Sequence, residues 1–445
     1  MSDALEPALT LDTASPMQQL RFLPLALSGQ RGFLAIHSDC PSIDPWPPYF
    51  TLPTDTLKLT AFSENGEKIW HRDLGPGVVP GVWFCPVYAF DLDDDGIDEI
   101  FLVNRSEPDH PLDMGSCVLE QVSASSGELI SSLPWPKVRG TQPLSHLWRN
   151  FVNGGFSHGR KRLITAQGTY GPMQIQCWDP NFRELWSRKI EPEESGPMGS
   201  HMFCVLDIDG DGRDELFWGE RLIDIDTGKD IWIADSEEWR GHSDIVQPFL
   251  DLKSGRWSVY TCRETAAPPE ARGVVTFDDC GKELWGLRGL GHMHAGWAGR
   301  LCEDGSHLFY AFDCDSQKHY CFDRDGIQVD PGMVLNRSVP VDFDGDGLHE
   351  LVYTAKEDRG NVVTRKGELM ATLRGKPARF GKIMDLPGEQ IVTWPKYERD
   401  GRIRIYALPT ANDSAASIRR YEHPFYNSSL RLWAVGYNWR NLGGL

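Results

Sequence analysis

The chain has 445 residues, and its 64 acidic against 45 basic side chains give a formal net charge of −19 at pH 7. Nucleic-acid affinity comes mostly from Lys and Arg side chains that neutralise phosphates, so this charge argues against a nucleic-acid partner. Hydrophobic residues make up 40% of the chain and charged residues 24%, which is typical of a folded globular protein. No run approaches the roughly 18 apolar residues of a membrane span. We therefore expect a folded protein that binds neither nucleic acid nor membrane.

The N-terminal sequence MSDALEPALTLD is acidic where a secretory signal would be basic, and no apolar segment follows it. We therefore expect a cytoplasmic protein, or a secreted one if a signal was trimmed from the true N-terminus. We also expect a monomer.

A short pattern recurs about seven times along the chain: an apolar strand, a tight polar turn and a second strand that often carries Trp. The turns are centred on Gly66, Gly127, Asn181, Gly228, Gly281, Gly326 and Gly367. Tight hairpin connections need a residue that tolerates positive φ, which explains the Gly and Asn. The separations of 41 to 61 residues match the length of one four-stranded propeller blade. The pattern therefore predicts an all-β propeller.

After Gly367 the chain supplies three further strand-like runs, ARFGKIMD, GEQIVTW and RIRIYAL. These runs predict an eighth blade that is closed by a strand from one terminus. Seven blades is the alternative, because one pattern is degenerate and the eighth hairpin is missing. No linker rich in Pro or Ser divides the chain. We predict a single β-propeller domain over residues 1–445, with eight blades favoured over seven.

Three acidic loops, FDLDDDGIDEI, LDIDGDGRDEL and VDFDGDGLHEL, share carboxylates at positions 1, 3 and 5, Gly at 6 and Glu at 9. Hard oxygen ligands of this kind suit Ca²⁺, which we predict as the cofactor. We interpret each ion as a structural staple between two strands. The predicted ligands are Asp91, Asp93, Asp95, Glu99, Asp207, Asp209, Asp211, Glu215, Asp342, Asp344, Asp346 and Glu350. Similar loops occur in integrin-type propellers that bind partners, so the loops alone do not indicate an enzyme.

Histidines precede the expected innermost strands of three consecutive blades: His201, then His242, then the pair His292 and His294. Loops that enter the innermost strands of a propeller converge around its central channel. The positions therefore predict a group of histidines at one end of the channel. A zinc site built from His201, His242 and His294 is a further possibility that this spacing leaves open.

The stretch GSHMFCVLDIDGDGRDELFWGERLIDIDTGKDIW, followed by GHSDIVQPFLDL, resembles the rhamnogalacturonan lyases of polysaccharide lyase family 11. The likeness extends to RGKPARFGK and to the tail YEHPFYNSSLRLWAVGYNWRN. The resemblance implies a calcium-binding propeller that acts on an acidic polysaccharide or oligosaccharide. By this resemblance the catalytic residues are His201, His242 and Tyr437, with Arg300 and Lys376 as substrate-binding residues. We add His292, His294 and Tyr170 to the substrate-binding residues.

A lyase must neutralise the uronate carboxylate before the C5 proton can leave, which calcium, Lys or Arg can do. His201 or His242 is then the expected base, Tyr437 or the other His the acid, and Arg300 and Lys376 the clamp. We predict β-elimination of rhamnogalacturonan or of a rhamnose–glucuronate linkage. The alternatives are a rhamnosidase-like glycoside hydrolase, for which Asp244 is the nearest carboxylate, and a non-catalytic calcium-dependent propeller. Candidate tryptophans for stacking on sugars are Trp46, Trp83, Trp148, Trp297 and Trp439.

Overall fold

The computed structural model describes residues 4–105, 116–136, 143–235, 239–354, 359–398 and 400–445. Its strands form eight separate sheets, seven with four strands and one with three. Each sheet is one blade, and the blades surround a central channel. The predicted all-β propeller with eight blades is confirmed, and the seven-bladed alternative is wrong.

Blades 1 to 4 follow one another along the chain, and the strands of each blade pair in chain order from the inside outwards. Their strands are β2 (Gln19–Leu27), β3 (Gln30–Ser38), β4 (Lys58–Ser63) and β5 (Lys68–Asp73) in blade 1; β6 (Val87–Phe90), β7 (Glu99–Arg105), β8 (Cys117–Ser123) and β9 (Leu129–Pro134) in blade 2; β10 (Asn150–Ser157), β11 (Arg160–Gln167), β12 (Met173–Trp178) and β13 (Glu184–Ile190) in blade 3; and β14 (Val205–Leu206), β15 (Glu215–Phe217), β16 (Arg221–Asp224) and β17 (Asp230–Ile233) in blade 4.

Blades 5 to 8 continue the ring, and blade 6 is the one with three strands. Their strands are β18 (Arg240–Asp251), β19 (Arg256–Ala267), β20 (Gly273–Asp278) and β21 (Glu283–Arg288) in blade 5; β22 (Met293–Arg300), β23 (His307–Asp313) and β24 (Lys318–Phe322) in blade 6; β25 (Ser338–Val341), β26 (Glu350–Thr354), β27 (Arg359–Val363) and β28 (Leu369–Arg374) in blade 7; and β29 (Lys376–Gly381), β30 (Gln390–Trp394), β31 (Arg402–Tyr406) and β1 (Leu9–Asp12) in blade 8.

The ring closes through blade 8, where the N-terminal strand β1 pairs antiparallel with β31. Leu9 lies opposite Ile405, and Leu11 lies opposite Ile403. The eighth blade is therefore closed by a strand from the N-terminal part of the chain, as predicted.

The repeated hairpins connect the third and fourth strands of the blades and lock neighbouring blades together. The Trp70 indole N–H of blade 1 donates a hydrogen bond of 2.7 Å to the Ala124 carbonyl in the hairpin of blade 2. Gly127 in that hairpin has φ +74°, and a Cβ there would lie 2.7 Å from the Trp70 ring. The glycine is thus required by both its conformation and its neighbour. The same Trp–Gly contact joins Trp186 to Gly228, Trp232 to Gly281 and Trp285 to Gly326.

The hairpin of blade 3 differs from the expectation in one detail. Phe182, and not Asn181, has the positive φ of 57°. The Phe182 amide donates to the Asp179 carbonyl and so takes the place that Gly has elsewhere in the repeat.

The C-terminal segment after β31 is helical and fills the channel. It contains α2 (Ala415–Tyr421), α3 (Pro424–Arg431) and 3₁₀ helices at Leu432–Ala434 and Asn438–Gly444; elsewhere lie α1 (Leu144–Leu147) and 3₁₀ turns at Pro47–Tyr49 and Pro269–Ala271. The last 3₁₀ helix contacts β18, β22, β25 and β29, which are innermost strands of four blades. The sequence pattern did not predict this helical plug.

The two ends of the channel carry different groups. We call the end where the innermost strands begin the site face, because His201 and His242 lie there. The opposite end, where the acidic loops connect the first and second strands of blades 2, 4 and 7, is the loop face. Within the described residues, no helix has the length and apolar character needed to cross a membrane.

Candidate functional site

The site face brings together the predicted catalytic residues from three separate stretches of the chain. His201 precedes β14, His242 lies near the start of β18, and their ring centroids are 4.4 Å apart. Tyr437 belongs to the C-terminal plug, and its ring centroid lies 5.1 Å from that of His201. Its backbone N–H donates to the His201 carbonyl at 2.8 Å. The plug therefore positions Tyr437 beside both histidines.

Glu264 lies at the centre of this group, on β19. Its Oε2 accepts a hydrogen bond of 2.8 Å from the Tyr170 hydroxyl and lies 3.4 Å from His242 Nε2. Its Oε1 lies 3.0 Å from His292 Nε2. Burial opposes ionisation, but the close imidazole of His292 and the hydrogen bond from Tyr170 bring the pKa of Glu264 down to about 2. Glu264 is therefore an ionised carboxylate shared by several histidines.

Asp244 is a second carboxylate in the group, and it is fully buried. Neither of its carboxylate oxygens has a hydrogen-bond partner among the described residues, although Oδ1 lies 3.5 Å from His201 Nε2. Burial and the nearby charge of Glu264 raise the pKa of Asp244 well above its usual range. A buried carboxylate without a partner is unfavourable, and a bound cation would satisfy it.

The hydrogen bonds of Thr169 determine which nitrogen of His242 carries the proton. The Thr169 hydroxyl donates to the Met198 carbonyl at 3.1 Å, so it must accept from His242 Nδ1, which lies 2.9 Å away. His242 Nε2 therefore presents a lone pair toward Glu264. Burial lowers the pKa of His242 to about 4 and that of His201 well below its usual value. Both imidazoles are neutral at neutral pH.

These side chains form a set of metal donors. One donor atom each from His201, His242 and Glu264 lies within 4.8 Å of the others, and Asp244 adjoins them. Two neutral imidazoles and two carboxylates suit a divalent cation. We call His201, His242, Asp244 and Glu264 the His–carboxylate cluster. Glu264 also forms a second such group with His292 and His294 at the mouth of the site.

Three predicted substrate-binding residues adjoin the cluster. Tyr170 has φ +62°, which is strained for a residue other than Gly, and its ring centroid lies 4.0 Å from that of His242. His292 is half-buried and His294 exposed, with ring centroids 5.4 Å apart. His292 and His294 therefore lie at the end of the channel where the sequence placed them, and Tyr170 joins them there.

Arg300 and Lys376 lie elsewhere. Arg300 is the last residue of β22, so roughly 26 Å of extended chain separates it from His292. It is buried, and its backbone N–H donates to His349 Nδ1 at 2.8 Å. The structure thus separates Arg300 from the cluster, because opposite ends of a strand lie on opposite faces. Lys376 begins β29 on the site face, but in blade 8, three blades along the ring from blade 5.

Some residues of the site were missed by sequence reasoning or given another role. Arg149, just before β10, is 4% exposed and lies over the Trp83 ring, with 4.5 Å between its Cζ and the ring centroid. Asp244 was considered only for a hydrolase, although His242 and Asp244 follow the period of a strand. Thr169 and Glu264 gave no local signal, because Thr169 lies in the loop after β11 and Glu264 is brought in by the pairing of β19 with β18. Of the candidate tryptophans, Trp83, Trp148 and Trp297 are buried, whereas Trp46 is 43% exposed.

The acidic loops of blades 2 and 4 have the donor arrangement expected of calcium sites. Donor oxygens of Asp91, Asp93 and Asp95 lie within 4.8 Å of one another, as do those of Asp207, Asp209 and Glu215. Burial and the neighbouring aspartates raise the pKa of Glu99 to about 7 and that of Glu215 to about 8. Such mutual repulsion between carboxylates is relieved by a cation, so the residues fit calcium.

The acidic loop of blade 7 already has two arginines as counter-charges. Arg365 Nη1 lies 3.2 Å from Glu350 Oε1, and Arg420 Nη1 lies 3.4 Å from Asp342 Oδ2. Burial and the aspartates of the loop still raise the pKa of Glu350 to about 8. Calcium at this loop must therefore share its carboxylates with fixed cations.

Comparison with known proteins places the chain in a family. Residues 156–439 match the model of rhamnogalacturonan lyase family 11, C-terminal domain, which is well over half of the chain. Rhamnogalacturonan endolyase YesW of Bacillus subtilis strain 168 is 23% identical over 441 residues, and the match covers 86% of this chain and 66% of that protein. Rhamnogalacturonan exolyase YesX of the same strain is 22% identical, covering 67% of this chain and 54% of that protein.

Solved structures share the fold. The crystal structure of exotype rhamnogalacturonan lyase YesX superposes with a TM-score of 0.78 at 18% identity, covering 98% of this chain and 80% of that chain. Rhamnogalacturonan lyase PL11 of Bacillus licheniformis gives a TM-score of 0.75 at 17% identity, covering 96% and 76% of the two chains. The chain thus spans between about half and two thirds of the length of its curated relatives. On the evidence of the matched family model, the chain belongs to rhamnogalacturonan lyase family 11.

Proposed function

We propose that this protein is a polysaccharide lyase that cleaves rhamnogalacturonan, or a rhamnose–glucuronate linkage, by β-elimination. The observation that carries the proposal is the His–carboxylate cluster, in which Asp244 is buried with both oxygens unpartnered. This cluster lies in a chain of the lyase family whose relatives include proteins named rhamnogalacturonan endolyase and exolyase. An acidic polysaccharide or oligosaccharide is the corresponding substrate.

We infer that His201, His242, Asp244 and Glu264 hold a calcium ion, separate from those of the acidic loops. The oxygens of Asp244 and Glu264 are the hard donors that such an ion takes. The lone pair of His242 Nε2 would be a further, softer donor at the same place. When bound, it would neutralise the uronate carboxylate and thereby make the C5 proton more acidic. The sequence had suggested that His201 or His242 removes the proton. This proposal instead assigns both histidines to cation binding.

Proton transfer then falls to groups at the mouth of the cluster. Partial desolvation and the charge of His292 lower the pKa of His294, so its imidazole is unprotonated at neutral pH and can accept the C5 proton. Burial raises the pKa of the Tyr437 phenol, which therefore keeps its proton and can donate it to the departing C4 oxygen. The C4–O bond breaks, and a C4–C5 double bond forms in the uronate.

The test is the absorbance near 235 nm, which an unsaturated uronate produces. The calcium-loaded protein is mixed with rhamnogalacturonan and, separately, with gum arabic, which carries rhamnose–glucuronate ends. We expect a rise with one of the two that disappears in the His201→Ala and His242→Ala variants. Release of reducing ends without a rise would instead indicate a hydrolase, and the absence of any product would favour a binding propeller.

The expected cytoplasmic location and monomeric state remain proposals. Size-exclusion chromatography with light scattering tests the second, and a mass near 50.2 kDa would support it.

A further inference from the structure

Arg149 is an arginine beside the site that is poorly paired with the rest of the protein. It is 4% exposed, and its Nε and Nη1 have no hydrogen-bond partner among the described residues. Its Nη2 lies 3.5 Å from Asp44 Oδ1, which is too long for a strong hydrogen bond. Burying a guanidinium with so little compensation is unfavourable, so its retention calls for an explanation.

Arg263 shows what a structural arginine of this region looks like. It lies on β19 beside Glu264 and is fully buried. Its Nη2 donates to Glu220 Oε2 and to Asp235 Oδ2, both at 2.6 Å, and its Nε donates to Glu220 at 3.1 Å. Arg263 therefore has two close carboxylates, whereas Arg149 has one distant carboxylate.

The surroundings of Arg149 orient it and place it next to the cluster. Its guanidinium lies over Trp83, whose ring centroid is 5.1 Å from that of His201. Asp44 Oδ2 accepts a hydrogen bond of 3.1 Å from the Trp83 indole, so Asp44 holds both the ring and the arginine. Among the charged groups that lower the pKa of the buried His201, Arg149 acts most strongly.

We propose that Arg149 forms a carboxylate-binding site for a uronate of the substrate, adjoining the His–carboxylate cluster. Nε and an Nη of one guanidinium form a planar pair of donors that matches the two oxygens of a carboxylate. The ligand class is a hexuronate unit with a free carboxylate, as opposed to a neutral hexose. A role of Arg149 in cleavage rests on the proposed lyase function, but the binding of a carboxylate by Arg149 does not.

The test compares two ligands that differ only in the carboxylate. These are a rhamnogalacturonan oligosaccharide and its carboxyl-reduced form, in which galactose replaces galacturonate. Binding of each to the full chain is measured by calorimetry in saturating calcium, with absorbance at 235 nm read on the same samples. The variants are Arg149→Gln and Arg149→Lys, with Arg256→Gln as a control, because Arg256 is an exposed arginine of blade 5 that pairs with Asp279 on the loop face.

We expect wild type and the control to prefer the acidic ligand by about 10- to 100-fold, which corresponds to hydrogen bonds to a charged group. Arg149→Gln should lose that preference and keep its affinity for the reduced ligand, while Arg149→Lys keeps part of it. An unchanged preference in Arg149→Gln, or an equal loss for both ligands, would overturn the proposal. If Arg149→Gln does not fold, an unchanged preference in Arg149→Lys would overturn it too.

The same samples separate this proposal from the proposed reaction. A preference that depends on Arg149 without any rise at 235 nm would support the carboxylate site and contradict the lyase. A rise at 235 nm, together with a preference for the acidic ligand that is unchanged in Arg149→Gln, would support the lyase and contradict the carboxylate site.

Discussion

Two buried groups of carboxylates lie at opposite ends of the channel and are satisfied differently. On the loop face, Glu389 Oε1 accepts hydrogen bonds of 2.7 Å from both Arg420 and Tyr426. On the site face, Asp244 has no hydrogen-bond partner among the described residues, and Glu264 faces the lone pair of His242. Glu389 is therefore paired within the protein, whereas on our proposal the site-face group takes its cation from outside. This difference separates a structural carboxylate pair from a group of carboxylates that can bind a ligand.

The largest expected effect is on activity, from removing the charge of Asp244. Asp244→Asn should lower the rate of the 235 nm increase by on the order of 1000-fold, as loss of a main electrostatic group does. Without calcium its melting temperature should not fall, because the native carboxylate has no hydrogen bond to lose. The initial rate in calcium and a thermal melt in EDTA test the two parts. A variant that unfolds, or that stays active, would contradict the contrast between the two ends.

The loop-face group should show the opposite behaviour. Arg420→Met leaves buried Glu389 and Asp342 without their cation and should lower the free energy of unfolding by about 3–5 kcal/mol. Activity should fall only in proportion to the folded fraction. Urea unfolding measures the loss, and the double variant Arg420→Met, Glu389→Gln should recover part of it. Unaltered stability in the Arg420→Met variant would show that the Arg420–Glu389 pair does not stabilise the fold.

A smaller effect should follow from the residue that orients His242. Thr169→Val removes the acceptor of the His242 Nδ1–H and should reduce activity by about 10- to 100-fold, as is common for groups that orient metal ligands. Thr169→Ser keeps the hydroxyl and serves as the matched control. Initial rates at saturating calcium measure the difference. Equal rates for the two variants would mean that the tautomer of His242 does not matter.

The acidic loops predict a pH dependence of stability that calcium should remove. Glu215 has a folded-state pKa of about 8 against an ordinary 4.5, so without calcium it stays protonated in the folded state to higher pH than in the unfolded state. Its contribution to stability is present below about pH 4.5 and is lost as the pH rises through about 8. We expect the calcium-free protein to lose more than ~1 kcal/mol per loop over this range. Thermal melts at pH 5.5 and 8, with calcium and with EDTA, test this expectation.

The smallest expected effect concerns the rim of the site face. Trp46 is 43% exposed and lies two residues from Asp44, which contacts Arg149. If Trp46 stacks on a sugar ring, Trp46→Ala should raise KM about 2- to 10-fold with kcat unchanged. Leu252→Ala is a control, because Leu252 is 54% exposed and follows β18 at the loop face. An equal KM in both variants would exclude Trp46 from substrate binding.

Much of the fold was predictable because it repeats. The hairpin glycines and the acidic loops recur in blade after blade, and the surplus strands after Gly367 indicated an eighth blade. The helical plug was not predictable in this way, since its short helices have little periodicity of their own. It is nevertheless essential to the site, because it delivers Tyr437 to His201.

The parts of the site that depend on the order of the blades were predictable from the sequence. The parts that depend on the register between paired strands were not. His201 and His242 meet because both precede innermost strands of neighbouring blades. Glu264 joins them only through the pairing of β18 with β19, whose register includes two bulges near His242. Arg300 was grouped with the histidines by the family resemblance, whereas the length of β22 carries it to the loop face.

A crystal structure obtained in saturating calcium would show directly whether the His–carboxylate cluster binds a cation. We expect an ion at this cluster, about 2.3–2.6 Å from oxygens of Asp244 and Glu264. We expect no ion between Glu389 and Arg420, where the protein supplies its own cation. An empty His–carboxylate cluster, with Asp244 still unpartnered, would contradict the proposal that this end of the channel binds a cation.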